Sequence, residues 1–137
     1  MRHLSPTALL SFVCAAFLGV SAVILPVWLL SLRRYTAPLF PLVRSGIEGI
    51  SLLTLVFLFV SGLLLGFFGR GHPFLLGIAT MALLPLLAIA EMVVEPTSHN
   101  VWPLEFMMYG FVSFSAVFGA CIGRLVKSKV MKGDALQ

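Results

Sequence analysis

Charged residues are scarce in this sequence of 137 residues. Asp, Glu, Lys and Arg together make up only 10% of the chain, whereas hydrophobic residues make up 60%. Soluble domains contain about 25% charged residues and about half apolar residues, so the composition excludes an ordinary soluble domain. The mean hydropathy of +1.09 instead indicates an integral membrane protein.

Cysteine is also scarce. The chain has 2 cysteines, Cys14 and Cys121, and both lie inside apolar runs without a CxxC or Cys/His spacing. This pattern excludes a disulfide framework and gives no cysteine-based metal or redox motif, so we interpret both as small packing residues. The positive net charge of +4 comes without an aromatic stacking platform. We therefore expect the basic residues to orient the chain in a lipid bilayer, and we expect no nucleic-acid partner.

Long apolar runs are what the sequence does contain. About 20 apolar residues are needed for a helix to cross the hydrocarbon core of a bilayer. Because these runs are apolar on every face, they indicate helices rather than the alternating strands of a barrel. The sequence predicts an all-α polytopic membrane protein, a single domain over residues 1–137 that forms a four-helix transmembrane bundle. The expected helices are residues 7–32, 46–68, 73–95 and 103–126, followed by a disordered basic tail at 127–137.

Short sequence signals support the predicted helix ends. Ser45–Glu48 has the S-x-x-E spacing of a capping box, which predicts the start of the second helix. Pro73 and Pro103 are suited to the first position of the third and fourth helices. Pro26 is expected to kink the first helix, and the proline-containing connection at 33–44 is expected to be non-helical.

The basic residues predict an orientation. With four crossings both termini share one side, and that side carries six basic residues against three on the other. The six are Arg2, Arg70, Arg124, Lys127, Lys129 and Lys132, and the three are Arg33, Arg34 and Arg44. Because the loops and ends of membrane proteins on the cytoplasmic side carry an excess of Lys and Arg, we expect a plasma (inner) membrane protein with both termini cytoplasmic.

Stripes of small residues predict how the helices associate. Helices in lipid pack by close backbone approach at such residues, because apolar burial gives no driving force there. The stripes are Ser11, Ala15 and Gly19 in the first helix, Gly62 and Gly66 in the second, and Ser115, Gly119 and Gly123 in the fourth. We expect them to pack inside the bundle, although they also suit contacts with another subunit.

A polar segment at 91–105 interrupts the apolar pattern. Glu91 and Glu95 lie one turn apart near a helix C-terminus, where like charges repel and the helix dipole is negative. The first interpretation is an ion-pair network with Arg33, Arg34 or Arg44. The second is that Glu91, Glu95 and His99 bind a divalent metal ion or act as acid/base groups. The third is a protein-docking surface with aromatic anchors at Trp102 and Tyr109.

Three functions remain open on the sequence alone. The first is a non-catalytic accessory or assembly subunit of a larger membrane complex, in contact with other membrane subunits or a homo-oligomer. The alternative is a small membrane-embedded enzyme or metal-binding protein that uses the outer Glu/His/Arg site. A transporter subunit is third, because no ionisable residue lies near the middle of an expected span. No cofactor is predicted; a divalent metal belongs only to the alternative.

Overall fold

The computed structural model describes residues 5–37, 39–96 and 102–134. These residues form α-helices and no strand. The helices are α1 (Pro6–Leu29), α2 (Pro41–Glu48), α3 (Leu52–Phe68), α4 (Pro73–Ala79), α5 (Leu83–Val94) and α6 (Trp102–Asp134).

Within the part of the chain that the structure describes, three helical segments are long and apolar enough to cross a membrane. They are α1, the combined segment of α4 and α5, and α6. The pair of α2 and α3 qualifies as a fourth only if it counts as one span, because it is bent by 106° at its break. The predicted all-α membrane fold is confirmed to this extent.

Close contacts establish the relative directions of the helices. Gly62 and Gly66 of α3 face Ala116 and Ala120 of α6 in the same order, so α3 and α6 run parallel. Residue order likewise makes α1 parallel to α4, since Gly71 lies beside Phe12 and Gly19 beside Thr80. One end of the bundle therefore gathers the start of α1, the turn at 69–72 and the later part of α6. We call the opposite end, with α2, the end of α5 and the start of α6, the acidic end.

The glycines of α3 and α6 bring the two backbones into contact. A Cβ added at Gly62 would overlap the carbonyl oxygen of Ala116, and one added at Gly119 would overlap that of Phe59. The Ser115 hydroxyl adds a hydrogen bond across the same interface, donated to the carbonyl of Leu55 at 2.7 Å. The predicted packing of these stripes inside the bundle is confirmed.

The first stripe also packs internally. Gly19 contacts the backbone of Thr80 so closely that a Cβ there would overlap the Thr80 carbonyl. Ala15 is fully buried. Ser11 Oγ accepts a hydrogen bond from the backbone N–H of Arg70 at 3.0 Å, which ties α1 to the turn between α3 and α4.

The predicted start of the second helix is wrong. Ser45 lies inside α2, where its hydroxyl donates to the Pro41 carbonyl at 2.7 Å and accepts from the Tyr35 N–H at 2.8 Å. The capping box lies at Ser51 and Thr54 instead, at the start of α3. Residues 41–44 of the connection expected to be non-helical thus belong to a helix of 8 residues, because Pro41 at its start suits a first turn.

The segment predicted as one helix at 73–95 is interrupted between α4 and α5. Pro85 has no N–H, so the Met81 carbonyl lacks the donor four residues ahead and accepts instead from the Leu84 N–H at 3.2 Å. Tighter turns precede it, in which Thr80, Met81 and Ala82 donate to the carbonyls of Gly77, Ile78 and Ala79 at 3.0 to 3.3 Å. The signal was available in the sequence as a proline far from either helix end.

The predicted disordered tail is also wrong over most of its length. α6 continues to Asp134, whereas the expected end was residue 126. No proline interrupts 104–134, and lysine is a good helix former that is favourable near a C-terminus. Smaller differences are that α1 ends at Leu29 and α5 at Val94.

We predict that Gly119→Ala destabilises the bundle and that Gly110→Ala does not. Both residues lie in α6, but no described atom lies within 4 Å of a Cβ built at Gly110, whereas one at Gly119 overlaps the backbone of α3. Overpacking of this kind costs about 1–3 kcal/mol. Thermal unfolding in a mild detergent measures the difference, and equal melting temperatures for the two variants would contradict this packing.

Candidate functional site

Arg44 joins α2 to the start of α6. Its Nη2 lies 2.7 Å from Glu48 Oε1, one turn away on α2, and its Nη1 lies 2.9 Å from Glu105 Oε1. Glu105 is 7% exposed, whereas Glu48 is exposed. Exposed pairs one turn apart contribute only about 0.3–0.5 kcal/mol, so the pair with buried Glu105 is the more important contact.

Glu91 joins the end of α5 to the start of α2. The residue is 4% exposed, and its Oε1 accepts a hydrogen bond from the backbone N–H of Phe40 at 2.9 Å. Phe40 is the N-cap residue of α2, where the helix dipole is positive. The negative dipole at the end of α5 is therefore offset by the positive dipole of α2 and by this donor.

Tyr109 of α6 lines a small cavity together with Arg44 and Glu91. It is 2% exposed, and its hydroxyl has no hydrogen-bond partner among the described residues. Arg44 and Glu91 contribute to the same cavity, which is otherwise apolar. The apolar lining is Phe40, Val43, Ile47, Leu84, Leu87 and Ala88. The cavity has a volume of about 10 Å³.

The two glutamates of the predicted site lie in different environments. Glu95 is the C-cap of α5, with φ −136° and ψ 94°, and it is exposed, whereas Glu91 is buried. Pro96 explains the difference, since it disfavours helical geometry in the residue before it. His99 lies outside the described residues, so its part in a metal or acid/base site stays a prediction. The described residues contain no group of three His, Cys, Asp or Glu arranged for a metal ion.

The other predicted residues are placed as follows. The guanidinium of Arg34 lies 4.8 Å from the centre of the Trp28 ring, and that of Arg33 lies 5.8 Å from the Tyr35 ring. Both arginines are exposed. Tyr109 is too deeply buried to be an exposed partner anchor. The side chain of Trp102 lies outside the described part, so its predicted role stays a prediction.

Two contacts of this site escaped the sequence interpretation. The Phe40 amide is a backbone group, and only the proline after it indicated that a helix starts there. Glu105 lies in the first turn of α6, where a carboxylate is favourable beside the positive end of the helix dipole. Its contact with Arg44 depends on where α2 lies against α6, which no local pattern specifies.

No protein-family model, curated protein or solved structure matches this chain. The geometry of the acidic end and the membrane character of the helices are therefore the observations that bear on function.

We predict that Arg44→Met destabilises the protein far more than Arg34→Met. Breaking a buried ion pair costs about 3–5 kcal/mol, an upper value here because the Arg44 side chain is 22% exposed. Arg34→Met removes only an exposed contact with an aromatic ring, worth about 0.5–1 kcal/mol. Melting temperatures in the same detergent compare them, and similar losses would mean that the Glu105 pair contributes little.

Proposed function

We propose that this protein is a non-catalytic accessory or assembly subunit of a larger membrane complex. In this proposal the chain crosses the plasma membrane four times, with α2 and α3 as one broken span and both termini in the cytoplasm. The partners are other membrane subunits, or further copies of this chain, within the bilayer.

The observation that carries the proposal is that the buried carboxylates are bound by other groups of the chain. Glu91 accepts a hydrogen bond from the Phe40 N–H, and Arg44 forms an ion pair with Glu105. Each of these contacts joins α2 to a longer helix of the bundle. Groups engaged in this way hold α2 against the bundle, which supports a structural role better than a reaction with a substrate.

The lipid-facing surface supports a partner within the membrane. α6 exposes a stripe of large apolar residues at helical spacing, namely Leu104, Met107, Phe111, Phe114, Phe118 and Leu125. The opposite face of α6, with Gly119 and Gly123, is already packed on α3. The exposed stripe is thus a surface for lipid or for the helix of another subunit.

The helix directions support four crossings. An alternating path makes the first and third spans parallel, and likewise the second and fourth. The observed pairs, α1 with α4 and α3 with α6, follow this rule. Arg70 and Arg124 lie together at the end opposite the acidic end, where Arg124 Nη2 donates to the Gly71 carbonyl at 2.5 Å. That end therefore suits the cytoplasmic side.

Cysteine labelling tests the orientation. In a background in which Cys14 and Cys121 are replaced by alanine, single cysteines are placed at the exposed positions Ser5, Thr36 and Ser128. We expect a membrane-impermeant maleimide to label Thr36→Cys in intact cells, and Ser5→Cys and Ser128→Cys only after permeabilisation. Opposite responses at Ser5 and Ser128 would contradict four crossings, and labelling of both without permeabilisation would contradict the orientation.

Native mass spectrometry tests the function. We expect the protein, released from its own membrane in a mild detergent, to appear as part of a larger assembly, because the exposed apolar stripe of α6 offers a surface to the helix of another subunit. A lone, monodisperse chain with its own activity would contradict the proposal. A lone chain with a metal adduct would instead favour the enzyme or metal-binding alternative, in which Glu91, Glu95 and His99 act together.

A further inference from the structure

The hydroxyl of Tyr109 is a buried polar group that lacks a partner among the described residues. Tyr109 is only 2% exposed. Buried tyrosine hydroxyls nearly always have a hydrogen-bond partner, either a protein group or an ordered water molecule. A hydroxyl without a protein partner therefore points to a ligand beside it.

The cavity at Tyr109 has the size of a single water molecule. Its volume is about 10 Å³, and one water molecule requires about 10–15 Å³. The space is far too small for a metabolite or a lipid headgroup. Arg44 is part of the lining, and its positive charge disfavours a bare metal cation at the same place.

The polar groups in the lining suit a bridging water. A water molecule needs two to four polar partners to be retained in such a site. Tyr109 supplies a hydroxyl donor, Glu91 a carboxylate acceptor and Arg44 a guanidinium donor, and all three residues line the cavity. A carboxylate accepts several hydrogen bonds, so Glu91 keeps its bond from Phe40 while it accepts another.

We propose that this cavity binds one ordered water molecule, which accepts a hydrogen bond from Tyr109 and donates one to the Glu91 carboxylate. The water is a structural ligand that connects α6 to α5 and, through Glu91, to the start of α2. The acidic end is then closed by two connections, one direct through Arg44 and Glu105 and one mediated by water.

The sign of the stability change in Tyr109→Phe tests this proposal. If water bridges the hydroxyl to Glu91, the variant loses a hydrogen bond and leaves the water short of a partner, so its melting temperature falls by a few degrees. If the cavity is dry, the variant removes an unsatisfied hydroxyl, and its melting temperature rises. An equal or higher melting temperature overturns the proposal. Tyr35→Phe, at an exposed position, is the matched control and is expected to change nothing.

A direct observation of the water complements the stability test. Nuclear magnetic resonance of the protein in micelles detects magnetisation transfer between a long-lived water molecule and nearby protons. In the wild type we expect transfer from water to the ring protons of Tyr109. In Tyr109→Phe we expect transfer to the ring protons at position 109 to be lost or strongly reduced. Absence of this transfer in the wild type would overturn the proposal, even if the variant is less stable.

Discussion

The close backbone contact between α3 and α6 is the interaction on which the rest of the structure depends. Lipid gives no hydrophobic driving force for helix association, so packing must come from surfaces that fit closely. Gly62 and Gly66 on one helix, and Gly119 and Gly123 on the other, provide such surfaces on both sides. Because the helices run parallel with residues 62 and 116 in contact, the interface also determines where the first turns of α6 lie.

The position of α6 in turn explains the acidic end. Tyr109 and Glu105 lie about two and three turns before Ala116 on the same helix, so the α3 contact places them beside α2. The bend of 106° after α2 turns Arg44 towards Glu105. Gly49 and the Ser51 capping box make this bend feasible, since one ends α2 and the other starts α3 with its first amides satisfied. Packing in the middle of the bundle and charge pairing at its end are thus successive parts of one arrangement.

Sequence patterns predicted the parts of the fold that depend on local chemistry. Apolar runs identified the long helices, and the spacing of small residues identified the surfaces that pack inside the bundle, whereas the pairing of α3 with α6 emerges only in the structure. The capping box was misplaced because Ser45 and Ser51 both satisfy local rules, and only tertiary contacts decide between them. The contact between Tyr35 and Ser45 is one of these. The same limit applies to Arg44, since Glu105 lies far from it in sequence and no local pattern specifies its partner.

The two glutamates show why a charge pattern alone did not define the site. On an unbroken helix Glu91 and Glu95 would repel each other, and a metal ion would be one way to compensate them. The helix instead ends at Val94, so Glu95 leaves it and becomes exposed, and Glu91 alone remains buried. Its carboxylate then meets the Phe40 amide and the positive end of the α2 dipole. The burial of Glu91 is accounted for by groups of the chain itself, and no metal ion is needed to explain it.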